Sequence, residues 1–227
     1  LCLTDLQDLD MKKKYILHIY IYMSESEYKI FNNNNKLIVC FGGMALKMGG
    51  ILPFEFLNYL SSTYTDCCDL LFYIDKNQCW YHKGIYDITT NIDDTVLYLN
   101  NIIKDGNYEK VIFMGTSAGG YASILFGSLC NNVNNVISFI PQTILNNPID
   151  LNYSNLKNII NKNTKYILYG DTRIQNKYNL HHIRHCVNID CFSNVKIIKD
   201  NGFAMKQLRD NGSIKKIIDD CLTHLDI

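Results

Sequence analysis

The chain has no excess of charge of either sign, because its 22 lysines and arginines balance its 22 aspartates and glutamates. A protein that binds a polyanion usually carries a basic surplus, so nothing in this composition predicts a nucleic-acid partner. Long apolar runs are missing as well, since no segment approaches the ~18 consecutive apolar residues of a membrane-spanning helix. We therefore expect neither a nucleic-acid partner nor a membrane span.

A disulfide or zinc framework is also missing, although the chain contains nine cysteines. The cysteines form no C-x-x-C pair, and an odd number of them cannot be fully paired. Several, such as Cys40 and Cys130, fall within apolar patterns, where a free thiol behaves as a small hydrophobic side chain. We interpret this usage as typical of a reducing, cytoplasmic environment.

The N-terminal region combines a basic start at Met11 with an apolar run at residues 15–23, as a signal peptide does. The run contains His18 and three tyrosines, however, and no small-residue cleavage site follows it. We therefore interpret the run as the first strand of a sheet. Residues 1–10 are expected to be an N-terminal extension and residues 11–227 a single domain, a length that one α/β core can fill.

Apolar strand patterns alternate with helical patterns along most of the chain. The predicted strands are residues 15–23, 28–31, 37–41, 70–74, 111–114, 136–140, 166–169 and 195–198. The predicted helices are residues 51–61, 92–104, a segment that begins after Ser117, 151–160 and 214–222. Alternation of this kind is typical of parallel strands joined by helical crossovers. The predicted fold is an α/β three-layer sandwich, with a mostly parallel sheet and an antiparallel N-terminal hairpin.

The segment that carries chemistry is Gly115-Thr116-Ser117-Ala118-Gly119, which joins a β-branched apolar run directly to a small-residue helical pattern. The pattern predicts a strand, a sharp turn and a helix, with Ser117 at the apex. Glycine suits positions 115 and 119 because the turn presses them against neighbouring backbone. The turn also lays the hydroxyl over the N-terminus of the next helix, where a developing oxyanion is stabilised.

This motif and the order of the segments resemble the α/β-hydrolase superfamily, in a minimal form without a lid domain, over residues 15–222. The resemblance implies a single-domain α/β-hydrolase-like fold, with Ser117 as nucleophile, no cofactor, no metal and a small-molecule acyl substrate. It also implies an oxyanion hole formed by the N–H of Ala118 and an N–H of Gly43 or Met44. Asp171 takes the position of the carboxylate that orients the histidine in this superfamily.

The chain departs from the superfamily pattern after the strand at 195–198, where no histidine follows and Phe203 stands instead. A serine without a nearby base is a weak nucleophile. His82, His181 and His182 are the alternative bases, because each follows a strand whose end lies at the expected catalytic edge. His181 and His185 could also share a metal ion if they lie on one helix, but no acidic third ligand is close in sequence, so we expect no metal.

Two classes of function remain open. In the first, the protein is a serine hydrolase that acts on a small ester, thioester or acyl group through an acyl-enzyme on Ser117, or an acyltransferase that uses the same intermediate. In the second, it is a catalytically impaired pseudoenzyme that binds a ligand or a partner, and Phe203 favours this class. A nucleotide-binding fold is disfavoured because Phe41-Gly42-Gly43 lacks the required glycine spacing. The oligomeric state is not predicted.

Overall fold

The structure is a computed structural model, and it describes residues 20–46, 54–201 and 205–223. Four parts of the sequence-based predictions lie outside the described residues: the extension at residues 1–10, residues 15–19 of the first strand, residues 51–53 of the helix at 51–61, and Phe203. Within those residues no helix is long and apolar enough to cross a membrane. The eight cysteines that fall within them are all free thiols.

An eight-stranded sheet forms the centre of the fold, in the order β1-β2-β4-β3-β5-β6-β7-β8. The strands are β1 (Tyr20–Met23), β2 (Glu27–Phe31), β3 (Lys36–Phe41), β4 (Asp69–Tyr73), β5 (Lys110–Thr116), β6 (Asn135–Phe139), β7 (Lys165–Asp171) and β8 (Val195–Asp200). The β1–β2 and β2–β4 pairs are antiparallel, and the other pairs are parallel. The predicted mostly parallel sheet with an antiparallel start is therefore confirmed.

Six α-helices connect these strands or follow them in the described part of the chain. They are α1 (Leu57–Tyr64), α2 (Ile92–Gly106), α3 (Ala118–Leu129), α4 (Arg184–Val187), α5 (Met205–Asp210) and α6 (Ser213–Thr223). Helix α2 illustrates how the sequence sets helix ends. Asn91 caps its start by accepting from the N–H of Asp94 at 2.8 Å, and Asn107 ends it in a left-handed conformation.

Both faces of the sheet are covered by helices, which makes the fold a three-layer sandwich. Leu37, Val39 and Phe41 of β3 pack on one face together with α2 and α3. The intervening residues Ile38 and Cys40 pack on the other face with α1, α5 and α6. Successive side chains of a strand point to opposite faces, so one apolar run supplies both cores.

Some predicted elements differ from the observed ones. The predicted helix at 151–160 is two short 3₁₀ helices, Leu151–Tyr153 and Leu156–Ile159, because the side chains of Asp150 and Asn155 each start a new turn. The predicted helix at 51–61 is observed at Leu57–Tyr64. Helix α5 was not predicted from the sequence pattern.

Parallel strands β3, β5, β6 and β7 end at the same edge of the sheet, and their following loops meet there. The register pairs Phe41 with Gly115, Thr116 with Phe139, and Phe139 with Tyr169. This edge therefore gathers the loop after Phe41, the turn at Ser117 and the loops after β6 and β7.

Candidate active site

Ser117 adopts a strained backbone conformation with a positive φ, at φ 59° and ψ −117°. For a residue other than glycine such a conformation costs on the order of 1–3 kcal/mol and persists only where the surroundings impose it. The Ser117 N–H donates to the carbonyl of Phe139 at 2.9 Å, and the Ser117 carbonyl accepts from the N–H of Tyr121 at 3.0 Å. Strand β6 and helix α3 thus hold the turn from both sides.

The two glycines of the motif sit where no side chain fits. A Cβ at Gly119 would lie 1.9 Å from the carbonyl oxygen of Phe41, and a Cβ at Gly115 would lie 2.4 Å from the carbonyl oxygen of Gly119. These neighbours are backbone atoms, so they cannot rotate away. The glycines let the turn at Ser117 pack directly against the end of β3.

Among the described histidines, His181 is the one that contacts the Ser117 hydroxyl. The distance from Ser117 Oγ to His181 Nε2 is 2.7 Å, which is a short hydrogen bond. Burial lowers the pKa of His181, so the ring is neutral at pH 7 and can accept a proton. His181 lies in the turn before α4, so it does not share a helix with His185.

No described side chain accepts a hydrogen bond from Nδ1 of His181 in residues 20–46, 54–201 and 205–223. The position of the residue is set through its backbone, since the His181 N–H donates to Oδ1 of Asn179 at 2.8 Å. In this part of the chain the serine and the histidine therefore form a dyad without a carboxylate behind the histidine.

Gln142 is a third polar residue at the serine, and our sequence analysis missed it. Its Nε2 lies 3.1 Å from Ser117 Oγ and 3.4 Å from Nε2 of His181. Its Oε1 accepts a hydrogen bond from the indole N–H of Trp80. Its position in the chain was the one sequence signal that could have indicated it, because Gln142 stands in the loop after β6, the strand beside β5.

His82 lies in a separate hydrogen-bond network that occupies both of its ring nitrogens. Its Nδ1 accepts from the N–H of Asp150 at 3.0 Å, and its Nε2 lies 2.8 Å from the hydroxyl of Tyr121. The Tyr121 hydroxyl donates to the carbonyl of Tyr153, so it must accept from His82. His82 therefore bridges a loop to α3 and has no lone pair left for Ser117.

His182 and His185 also make structural contacts. The Nδ1 of His182 accepts from the N–H of Arg184 at 3.0 Å. His185 is fully buried, and burial lowers its pKa to about 4. Its carbonyl accepts from the hydroxyl of Thr143 at 2.6 Å, which ties the loop after β6 to α4. Among the described residues, no cluster of three or more potential ligands could hold a metal ion.

Asp171 ends β7 at the catalytic edge, but its carboxylate is bound by Arg173. The guanidinium lies 3.0 Å from Oδ2, and the Arg173 N–H donates to Oδ1 at 2.8 Å. The Arg173 guanidinium holds the pKa of Asp171 below its usual value. Asp171 also pairs with His182 through an isolated parallel β-bridge, which is a backbone contact. No described hydrogen bond joins the Asp171 carboxylate to a histidine ring.

The loop after β3 runs close to the serine. A Cβ at Gly43 would lie 3.4 Å from the carbonyl oxygen of Thr116 and 4.0 Å from Cβ of Ser117. The carbonyl of Met44 accepts from Nε2 of Gln78 at 2.7 Å, which anchors the loop on its far side. Ala118 is the first residue of α3, so its N–H has no partner within that helix.

Glu55 is a half-buried residue beside Thr116 and the Gly43 backbone, and its Oε2 atom is buried. Burial raises the pKa of Glu55 to about 7, and the side chain and backbone of Thr116 and the backbone of Gly43 partly offset the rise. Neither Glu55 Oε2 nor Thr116 Oγ1 makes a hydrogen bond of normal geometry with a described residue, although both atoms are buried. The carboxyl is therefore poorly compensated when ionised.

We predict that Glu55→Gln makes the protein more stable at pH 8. The native carboxyl keeps its proton up to about pH 7, whereas the unfolded one loses it near 4.5. Wild-type stability is therefore full below pH 4.5 and falls by roughly 3 kcal/mol as the pH rises to about 7. Glutamine cannot ionise and abolishes this fall.

Urea unfolding at pH 5 and pH 8 measures the effect, with Glu109→Gln as the matched control at an exposed site. A wild-type free energy of unfolding with no more pH dependence than that of Glu55→Gln would show that the carboxylate is already well compensated.

Solved structures share this architecture. The capsule O-acetyltransferase of Neisseria meningitidis serogroup A superposes with a TM-score of 0.60 at 14% identity, over 91% of this chain and 96% of that one. An alpha/beta hydrolase from a sediment metagenome of the Mar Chica lagoon, Morocco, gives a TM-score of 0.55 at 12% identity, over 88% and 96% of the chains. The chain has the α/β-hydrolase fold.

An esterase of Pyrococcus furiosus is a further structure with the α/β-hydrolase fold, with a TM-score of 0.54 at 13% identity over 91% of this chain and 93% of its own. No protein-family model and no curated protein sequence matches the chain. Identities this low establish the shared α/β-hydrolase fold and leave the reaction to be argued from the site.

Proposed function

We propose that the protein is a serine acyl hydrolase or acyltransferase that works through an acyl-enzyme on Ser117, with His181 as the general base. The observation that supports this proposal most directly is the 2.7 Å contact between Ser117 Oγ and His181 Nε2. A nucleophile and a neutral base within hydrogen-bond distance form the minimum unit of this chemistry.

The reaction begins when Ser117 Oγ attacks the carbonyl carbon and its proton passes to Nε2 of His181. The carbonyl oxygen takes up the displaced electron pair, and the N–H of Ala118 together with an N–H of the Gly43–Met44 loop stabilises its charge. Collapse of this intermediate expels the alkoxide or thiolate, which takes the proton from His181. The acyl group remains as an ester on Ser117.

The second half-reaction sets the class of enzyme. If His181 activates a water molecule, the acyl-enzyme is hydrolysed, and if it activates an acceptor hydroxyl, the acyl group is transferred. Both outcomes occur among the similar folds, since one of the solved structures is an O-acetyltransferase and another an esterase. The same dyad serves both routes. We propose a small ester, thioester or acyl group as the substrate in either case.

A catalytically impaired binding module is the second candidate. It is favoured by the absence of a described hydrogen-bond acceptor on Nδ1 of His181, and by the engagement of Asp171 with Arg173. A histidine that no carboxylate orients is a weaker base than one in a complete triad.

We predict that a fluorophosphonate probe labels the folded wild type and fails to label Ser117→Ala. The probe reports an activated serine, because the Ser117 oxygen must displace fluoride from phosphorus and lose its proton to a base. Intact-protein mass spectrometry measures the adduct, and peptide mapping assigns it to Ser117.

Urea-unfolded wild type is the control, since a reaction with any accessible serine would survive unfolding. Failure of the folded wild type to react would reject the acyl-enzyme proposal and favour the binding module. For a reactive protein, mass spectrometry after incubation with a thioester and an added alcohol distinguishes hydrolysis from transfer.

A further inference from the structure

The side chain of Gln142 reaches the reacting oxygen from the loop that follows β6. It is only 3% exposed, and its Nε2 stands 3.1 Å from Ser117 Oγ. The side-chain amide of Gln142 has an NH2 group that donates hydrogen bonds and an oxygen that accepts them. Which of the two groups faces Ser117 decides whether Gln142 donates to the nucleophile or accepts from it.

Trp80 fixes the orientation of the Gln142 amide. The indole nitrogen can only donate, and it contacts the Gln142 oxygen, so the Gln142 amide nitrogen must face Ser117. Ser117 Oγ therefore accepts a hydrogen bond from Gln142. Its single hydroxyl proton is then free for one partner, Nε2 of His181, which must act as the acceptor.

The loop that carries Trp80 is held rigidly. Trp80 and Tyr81 are both in the left-handed region, with φ 56° and 61°. The buried carboxylate of Asp75 imposes this turn by accepting from the N–H of Cys79 at 2.7 Å and from the N–H of Tyr81 at 3.0 Å. A turn with this much strain persists only because such contacts hold it.

The loop that carries Gln142 is braced on its other side. The hydroxyl of Thr143 donates to the carbonyl of His185 at 2.6 Å, and the N–H of Ile144 donates to Nδ1 of the same histidine at 3.3 Å. The loop that carries Gln142 is therefore held against α4, and the Gln142 amide itself contacts Trp80 and Ser117.

We propose that Gln142 is a catalytic residue that stabilises negative charge on Ser117 Oγ while the proton moves to His181, and that Trp80 is the positioning residue that aims it. An amide N–H can donate to the developing alkoxide but cannot take up the Ser117 hydroxyl proton. That proton therefore passes to Nε2 of His181. The hydrogen bond strengthens as charge builds on Oγ, and it favours the transition state over the ground state. This inference rests on the proposed function.

The test is the second-order rate constant for fluorophosphonate labelling of wild type, Gln142→Met and Gln142→Glu. Methionine keeps the size and removes the donor, and we expect labelling about 10–100-fold slower. Glutamate keeps the bond from Trp80 but turns a negative oxygen toward Oγ, so we expect it to be slower than methionine at pH 8. Gln207→Met, at an exposed position of α5, is the matched control.

Trp80→Phe tests the positioning role. We expect slower fluorophosphonate labelling. The pH at which the labelling rate falls on acidification should not change, because the variant leaves His181 in place. We also expect little further loss when Trp80→Phe is added to Gln142→Met, because both changes act on one hydrogen bond.

The outcomes separate the two proposals. A labelled wild type with Gln142→Met within about twofold of it would overturn the role of Gln142 and leave the Ser117–His181 dyad intact. If Gln142→Met does not fold, Gln142→Glu decides, and a wild-type rate for that variant overturns the inference. An unlabelled wild type rejects both proposals.

Discussion

His181→Ala is expected to slow the acylation of Ser117 by about 10²–10⁴-fold, which is the usual contribution of a general base. The reason is geometric, because His181 is the histidine whose ring nitrogen contacts Ser117 Oγ, at 2.7 Å. The neighbouring His182→Ala is the matched comparison, since the His182 ring accepts from the backbone of Arg184 instead. We expect this variant to react within about twofold of wild type.

The pH dependence gives a second measurement of the same residue. His181 must be neutral to accept the proton, and burial lowers its pKa from 6.5. The wild-type labelling rate should therefore show an acid limb, in which it falls to half of its high-pH value at a pH below 6.5. His181→Ala should lose this acid limb. A large loss in His182→Ala, with His181→Ala unaffected, would contradict the assignment of the base.

Gly119→Ala is expected to destabilise the fold by about 3 kcal/mol or more, at the upper end of what overpacking costs. The added Cβ would lie 1.9 Å from the carbonyl oxygen and 2.7 Å from the carbonyl carbon of Phe41. Both are backbone atoms at the end of β3, so relief would require the strand and the turn to separate. That movement would also displace Ser117 from His181.

Urea unfolding measures the loss, and Gly43→Ala is the control because its Cβ would meet only an ordinary contact at 3.4 Å. We expect Gly43→Ala to lie within about 1 kcal/mol of wild type. Equal stability of Gly119→Ala and wild type would show that the turn and β3 do not pack as closely as the structure has them.

Sequence patterns predicted the elements that depend on local chemistry. The apolar run before Gly115 and the small residues after Ser117 indicate a strand and a helix, and the observed β5 and α3 meet at that serine. The helix at 151–160 was predicted less well, because Asp150 and Asn155 compete for backbone N–H groups that a continuous helix would use.

Among the candidate bases, the sequence could not separate His181 from His82 and His182. All three follow strands that end at the catalytic edge, and their spacing in the chain carries no information on which ring turns inward. His82 is occupied by Tyr121 and Asp150, contacts that arise only when loops distant in sequence pack together. No sequence motif marks Gln142 as a functional residue, because a single polar residue after a strand is common in loops.

The α/β layering, the sharp turn and the position of Ser117 therefore follow from the sequence, since side-chain alternation and the steric demands of a tight turn act over a few residues. The choice of His181, the orientation of Gln142 by Trp80 and the engagement of Asp171 by Arg173 required the tertiary structure. The Ser117–His181 contact joins residues 64 positions apart. Contacts over such separations depend on how loops pack around the sheet, and local patterns do not encode that packing.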